Sequence, residues 1–369
     1  MRPWNRRLIR AGRLGAALVA AVAGLHGAPA KGERQLFGPM RIRDTSPFSF
    51  LRLEMMPSQA PAPGRGRYWI EAELTYSNTF VMSDNVQAYL ESVSHKRGPL
   101  SQADADAILA LGEDAYYVDG ESSLLDVTLT YGVSEGASVY LSVPVYSFTG
   151  GFLDGTIEAF HDTFGLGNER RELVARNRFQ TLMSLQGEQR ALLDPPDGGL
   201  GDPVLGGRYS VPLRGSDWSL VLDGAVKTAV GGERLFLSTG GHDLGAQIAL
   251  WRSSARHGIY LGTSVVRTDG RILGAGVGSR TIPTLTSAYA LGITPGLHVV
   301  VQAYASRSPI QDTTLEALRA DKFKMSLGLR GVGGRLIYGV ALTENVFKFE
   351  NTPDIGLSFN LGWTSSRQP

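Results

Sequence analysis

The chain has 369 residues, with 36 lysines and arginines against 35 aspartates and glutamates, 46 glycines and no cysteine. That composition excludes a disulfide-stapled domain, a thiol enzyme and a disordered tail protein. After the first thirty residues no apolar run approaches the roughly 18–20 residues that a membrane-spanning helix needs, which excludes a helical membrane protein.

Arg2, Arg6, Arg7, Arg10 and Arg13 form a basic stretch without an acid. An apolar run follows from Leu14 to Leu25, and Ala28-Pro29-Ala30 offers small residues for cleavage. This three-part layout predicts a secretory signal peptide over 1–30, because the apolar run is too short to span a bilayer. Without those five arginines, 31 basic residues face 35 acidic ones, net −4, which does not suit a nucleic-acid partner. Export without cysteine fits an envelope protein that needs no disulfide. Residues 31–66 contain Pro47, Pro57, Pro61 and Pro63 and no sustained alternation. They are expected in the periplasm or folded into a lumen.

From Arg67 onward the dominant signal is period two, the signature of a strand with unlike faces. Tyr68, Ile70, Ala72, Leu74 and Tyr76 alternate with Glu71, Glu73, Thr75 and Ser77. Comparable runs start near Leu125, Val139, Leu205, Trp218, Leu244, Ile259, Leu285, Leu297, Phe323, Leu336 and Ile355, which makes about twelve strands. Each predicted strand is about nine to eleven residues long, the length of a tilted strand crossing a bilayer. Short turns at Gly132–Gly136, Arg214–Asp217, Arg252–His257, Thr294–Gly296 and Gly331–Gly334 alternate with long loops. The loops cover Thr79–Ala115, Thr149–Gly199, Gly231–His242, Thr268–Ser279, Ser306–Ala320 and Glu344–Pro353. Sorting of connections by parity predicts an all-β, up-and-down transmembrane β-barrel in the outer membrane, over 67–363, with a 364–369 tail. Short turns would face the periplasm and long loops the outside. Tyr68, Trp69, Tyr76, Tyr140, Tyr146, Trp218, Trp251, Tyr260, Tyr289, Tyr304 and Trp363 are expected as interfacial girdles near strand ends.

If the apolar parity faces lipid, the other lines the lumen. It carries Glu71, Glu73, Asp126, Arg208, Asp223, Lys227, Lys322, Lys324 and Arg330. These charges either pair across a small barrel or line a narrow solute path. In the second long loop, Leu153, Ile157, Phe160 and Phe164 recur at helical spacing. The opposite side gathers Asp154, Glu158, His161 and Asp162, which can be a solvated face, a divalent-cation site or an acid–base pair. Arg170, Arg171, Arg176 and Arg178 follow as a basic patch for anionic headgroups or a constriction. Ser101-Gln102-Ala103-Asp104 reads as a capping box opening a short helix that stops at Gly112. Gly132-Val133-Ser134-Glu135-Gly136 matches a nucleophile elbow in letters, but a strand rather than a helix follows, so it reads as a turn. Gly274-Ala275-Gly276-Val277-Gly278 lacks the last glycine of a dinucleotide fingerprint and lies in a loop. No cofactor is expected.

Gly38-Pro39-Met40-Arg41-Ile42-Arg43 with Ser46-Pro47, Asp119-Gly120-Glu121, and Gly151-Phe152-Leu153-Asp154-Gly155 through Phe160-His161 resemble an uncharacterised family. Its members are exported Gram-negative proteins with a domain of unknown function. Gly199-Leu200-Gly201-Asp202 and Ser238-Thr239-Gly240-Gly241-His242-Asp243-Leu244-Gly245 resemble outer-membrane barrels of the phenol-degradation type. Lys227-Thr228-Ala229-Val230-Gly231 stands where those barrels carry Lys-Leu-Pro-Thr-Gly, so that match is partial. The resemblance implies a barrel and no proven activity. Three functions fit, in this order: a narrow channel for small, apolar or aromatic solutes; a structural or interaction protein working through its loops; and an outer-membrane enzyme acting on lipid. The partners expected are outer-membrane lipid, lipopolysaccharide and a small solute.

Overall fold

In a computed structural model of the protein, residues 38–57, 63–165, 167–214, 216–254, 256–272, 275–276, 280–347 and 351–365 are described. The signal peptide expected over 1–30 and the glycine pattern from Gly274 to Gly278, apart from residues 275–276, lie outside them. Twelve long strands follow one another around a cylinder. They are β1 (Tyr68–Met82), β2 (Ala115–Gly132), β3 (Ala137–Thr149), β4 (Val204–Pro212), β5 (Trp218–Lys227) and β6 (Asp243–Ser253), then β7 (His257–Thr268), β8 (Arg280–Thr294), β9 (Leu297–Ser306), β10 (Lys322–Gly333), β11 (Leu336–Phe347) and β12 (Ile355–Thr364). Each pairs antiparallel with its neighbour in sequence, and β12 pairs back onto β1 from Trp69 opposite Thr364 to Asn78 opposite Ile355. The twelve-strand wall thus closes on itself, and its backbone groups pair from strand to strand around the barrel. Five tight turns alternate with six long connections, the parity expected from the sequence.

Alternation decides which face is which. Along β1, Tyr68, Ile70 and Leu74 stand exposed on the outer face, while Trp69, Glu71, Glu73 and Thr75 are buried inside. The same holds around the wall, with Val127, Leu129, Leu222, Leu261, Leu329 and Phe359 outward. A continuous apolar belt with charges on the inside is the inverse of a water-soluble barrel, and identifies the outer surface as lipid-facing. Tyr68, Tyr131, Tyr209, Tyr338 and Trp363 stand outward near the short-turn end, and Tyr76 near the other. The girdle expectation needs correction for Trp69, Tyr140, Tyr146, Trp251, Tyr260 and Tyr304. Their parity places them inside the barrel, because a strand end sets height but only parity sets the face.

Several strands exceed nine to eleven residues, β1 with 15 and β2 with 18. The excess rises above the belt at the long-loop end, where Ser77–Val81 and Ala115–Glu121 are buried on both faces. A strand covered on both sides loses its alternation, which is why periodicity alone starts this strand only at Leu125. A hairpin, Gln180–Leu185 with Glu188–Leu192, continues this sheet by pairing with Ala115–Asp119. Its outer side carries α1 (Asp84–Ser92) and α2 (Gln102–Leu109), which bury Val86, Leu90, Ala105 and Ile108 against Phe80, Tyr117 and Leu182. The capping box at Ser101 is formed, with Asp104 answering from the third position, and α2 ends at Leu109, capped by Ala110, rather than at Gly112. Two further helices are α3 (Asp154–Phe164), which follows β3, and the one-turn α4 (Glu316–Arg319) in the loop before β10.

Candidate functional site

The interior is not open. Residues 38–57 run inside the barrel and are buried almost throughout. Wall residues grip this segment along its length. Near the short-turn end Arg330 donates to the Pro39 carbonyl and, at 2.8 Å, to Glu71. The Met40 N–H donates to Gln302 Oε1 at 3.1 Å, and Arg41 to Thr128 at 3.1 Å. Higher up, Arg43 meets Asp126 at 3.0 Å, and Asp44 accepts from Lys324 at 2.8 Å and Lys322 at 3.3 Å.

The segment turns over at Ser46–Arg52, where successive N–H groups donate back to Ser46 and Ser49. Arg52 then donates to the Tyr304 hydroxyl at 2.7 Å, Lys227 to the Leu51 carbonyl at 2.9 Å, and the Leu53 N–H to Asp243 at 2.6 Å. Two wall glycines make the passage possible. A Cβ at Gly245 would strike Met55 and Leu53, and one at Gly328 would strike Met40. Carried further, the chain reaches Pro63 and Gly64 against Gly132 at the short-turn end. The path is therefore an inverted U with its bend near the long-loop mouth.

That mouth is aromatic. Phe48 and Phe50 of the bend pack with Tyr116, Tyr146, Phe148, Phe179 and Phe236. Phe50 lies 5.2 Å from Tyr146 and 6.1 Å from Phe148 between ring centroids, both edge-on. Below it the contacts are charge-assisted hydrogen bonds, strong in a medium of low polarity and costly to leave unmade.

All nine lumen candidates from the sequence face inward and are buried. Six engage as just described or pair with each other: Glu71 with Arg330, Asp126, Lys322, Lys324, and Lys227, which also meets Asp202 and Asp243 at 3.5 and 3.2 Å. Arg208 and Asp223 pair within the wall at 3.0 Å, where the Tyr140 hydroxyl also donates to Asp223. Glu73 shares a small cleft with Arg41, Arg330 and Asn360. The sequence reading missed Asp243, Gln302 and Tyr304. Asp243 stands between the loop predicted over Gly231–His242 and the run that starts at Leu244, and Gln302 and Tyr304 carry no charge that singles them out. It also missed Arg41, Arg43, Asp44 and Arg52, for which no periodicity gives a signal.

The loop candidates divide. Asp154 accepts from Arg171 at 2.8 Å and from Asn78 at 3.0 Å, and Arg171 also bonds Asp354 and lies 4.4 Å over the Phe80 ring. Glu158 is clamped by Arg97 at 2.7 Å and by Arg176. Burial works against its ionisation, but the hydrogen bonds from Arg97 and Arg176 outweigh it and hold the carboxyl down at about 2. Asp162 accepts from Asn168 at 2.7 Å, and Arg170 stands exposed beside Glu91. The solvated-face reading of Asp154 and Glu158 is therefore corrected: both are buried, because arginines from the following segment and from Arg97 reach over them. Among the described residues no group of three histidines, aspartates or glutamates is placed to hold a metal ion, so the cation reading of that face finds no geometry. Nearby Asp119, fully buried, has its carboxyl raised well above the usual range by burial and by the charge of Asp154. Gly132–Gly136 is the tight turn between β2 and β3, strand to strand.

No curated protein matches the chain. Among solved structures it is similar to an outer membrane channel from Pseudomonas putida F1, at 11% identity and a TM-score of 0.49, over 84% of this chain and 100% of that one. It is similar to the NanC porin at 8% identity and 0.40, over 67% and 94%. It is also similar to the Ralstonia pickettii toluene transporter TbuX at 11% and 0.36, over 83% and 90%. In sequence, residues 92–364 match one family over most of the barrel, a stretch that includes the Gly151–His161 motif and begins after the Gly38–Pro47 motif. The chain belongs to that family, described as proteins of unknown function (DUF3187).

Proposed function

We propose that this barrel is an outer-membrane channel for small solutes, with its short turns in the periplasm, and that its own segment 38–57 is the gate. The observation that carries the reading is the contact between gate and wall. Below the bend it is made of ion pairs and single hydrogen bonds to Asp126, Asp243, Lys227, Lys322, Lys324 and Arg330, groups that water or a passing solute can satisfy in turn. A permanent filling would be expected to be apolar, since replacing buried ion pairs with packed hydrocarbon is commonly neutral or stabilising. The ring of Tyr146, Phe148, Phe179 and Phe236 around Phe48 and Phe50 supports small aromatic solutes as the class admitted. A flat ring can replace Phe50 edge-on against the same partners. Engagement of Asp154 and Glu158 by arginines supports a non-catalytic reading of α3, because neither carboxylate is free to act as a base.

The test is flux into proteoliposomes by the full chain and by a chain lacking residues 38–57, each checked as a folded barrel by heat-modifiable migration. The deletion is expected to pass ions and small solutes freely and single-ring aromatics faster than sugars. A folded barrel without the segment that passes nothing would overturn the channel reading and leave a structural envelope protein.

A further inference from the structure

α3 is built inside out for a helix in water. Of its three carboxylates Asp154 and Glu158 are buried and Asp162 is exposed, while Phe160 and Phe164 are exposed at 51% and 63%, with Phe152 just before the helix at 68%. Phe152, Thr156, Phe160 and Phe164 follow one another at intervals of four and so form a single stripe along the helix. Ala159 and Thr163 beside that stripe are exposed as well, and the Thr163 hydroxyl is satisfied by the Ala159 carbonyl at 2.7 Å. In a water-soluble surface helix the phenylalanines would join Ile157 on the buried side and the acids would face water.

The position of the helix accounts for this. Its N-terminus is fixed to the outer face of the wall, where Glu121 accepts from the N–H groups of Phe152 at 3.0 Å and Leu153 at 2.6 Å. Phe152 stacks on Tyr76 at 5.6 Å between centroids and 25° between planes, and Tyr76 is the uppermost outward residue of the apolar belt on β1. The phenylalanine stripe, interrupted only by Thr156, therefore starts on the belt through the Phe152–Tyr76 contact.

We infer that α3 is a membrane-interface element that sets Phe152, Phe160 and Phe164 into the lipid of the leaflet on the long-loop side. Aromatic side chains at that depth are favoured between headgroup and hydrocarbon, and a helix with one aromatic face lies in the plane of the interface. Asp154 and Glu158, turned to the protein, hold the helix down through Arg171, Arg97 and Arg176. The occupant of the exposed stripe is lipid, because the stripe is continuous with a lipid-facing surface. This inference rests on the barrel and not on the channel reading.

The chain has no cysteine, so single cysteines can be labelled uniquely. Phe164→Cys carries an environment-sensitive fluorophore, with Leu74→Cys in the belt as the lipid reference and Glu113→Cys at the exposed top of the loops as the water reference. Each is reconstituted in phosphatidylcholine vesicles with and without nitroxide-labelled lipid, and Phe160→Cys serves if the first variant does not fold. The label on α3 is expected to emit in the blue and to be quenched by labelled lipid to the extent seen at Leu74, at every protein-to-lipid ratio. Emission and quenching like those at Glu113 would overturn the inference. So would blue emission that lipid nitroxides do not quench and that is lost on dilution in lipid, since the occupant would then be a second copy of the chain.

Discussion

Gly151 has a φ of +75°, and a Cβ there would overlap the Glu121 carboxylate. The one position thus combines a left-handed backbone with the close approach that lets Glu121 cap α3. Gly151→Ala is expected to add about 1–2 kcal/mol of backbone strain besides the clash, and to free the start of α3, seen as faster protease cleavage between 150 and 165 in an intact barrel. Glu158 is a second residue whose environment sets a measurable behaviour. Its folded carboxyl is held near 2 against an ordinary value of 4.5, so its contribution to stability is full above about 4.5 and is lost as pH falls toward 2. Wild-type α3 is expected to stay docked from neutral pH to about 4.5 and to loosen only below it, followed by a fluorophore at position 164. Glu158→Gln should loosen the helix at neutral pH by about 1–2 kcal/mol and flatten that acid response, because its ion pairs with two arginines are lost while the half-exposed arginines can return to water.

At the scale of elements, α3 and the segment 38–57 show the limits of pattern. The helix was legible from the spacing of Leu153, Ile157, Phe160 and Phe164, but its orientation was not. An amphipathic pattern says that two faces differ, and only the neighbours say which one is turned to protein. The internal segment has no period at all, because each of its residues answers a different strand. Asp44 ties the segment to two wall lysines at once, lying buried between Lys322 and Lys324. Asp44→Asn leaves both lysines without their counter-charge, and breaking a buried pair from one side costs about 3–5 kcal/mol. At about 1.4 kcal/mol per power of ten, release of the segment should increase by about a hundredfold or more. It is read as a rise in single-channel openings in planar bilayers, with unchanged migration of the folded band because the strand ladder does not use Asp44.

For the whole molecule, closure and the belt govern stability. Val127 stands outward at mid-height on β2, opposite Ala72 of β1. Val127→Arg is expected to destabilise the barrel in lipid by about 2–4 kcal/mol, whereas Glu113→Arg at the top of the loops should leave it unchanged, compared by urea unfolding in vesicles.

Period two, chain length and the sorting of turns from loops were local properties, and they determined twelve strands, their order and the inner and outer face of each. The same parity brought all nine charged lumen candidates inside, from Glu71 to Arg330, because a strand can only place alternate residues on one side. Tertiary structure decided what those charges meet. Asp126 could have paired with another wall charge or lined a solute path, and it meets Arg43 from more than eighty residues away, since contacts across a lumen depend on which chain occupies it and carry no spacing in sequence. The buried acids of α3 were settled in the same way, by what packs over them and not by their own pattern, whereas the tyrosines were turned inward by strand parity alone.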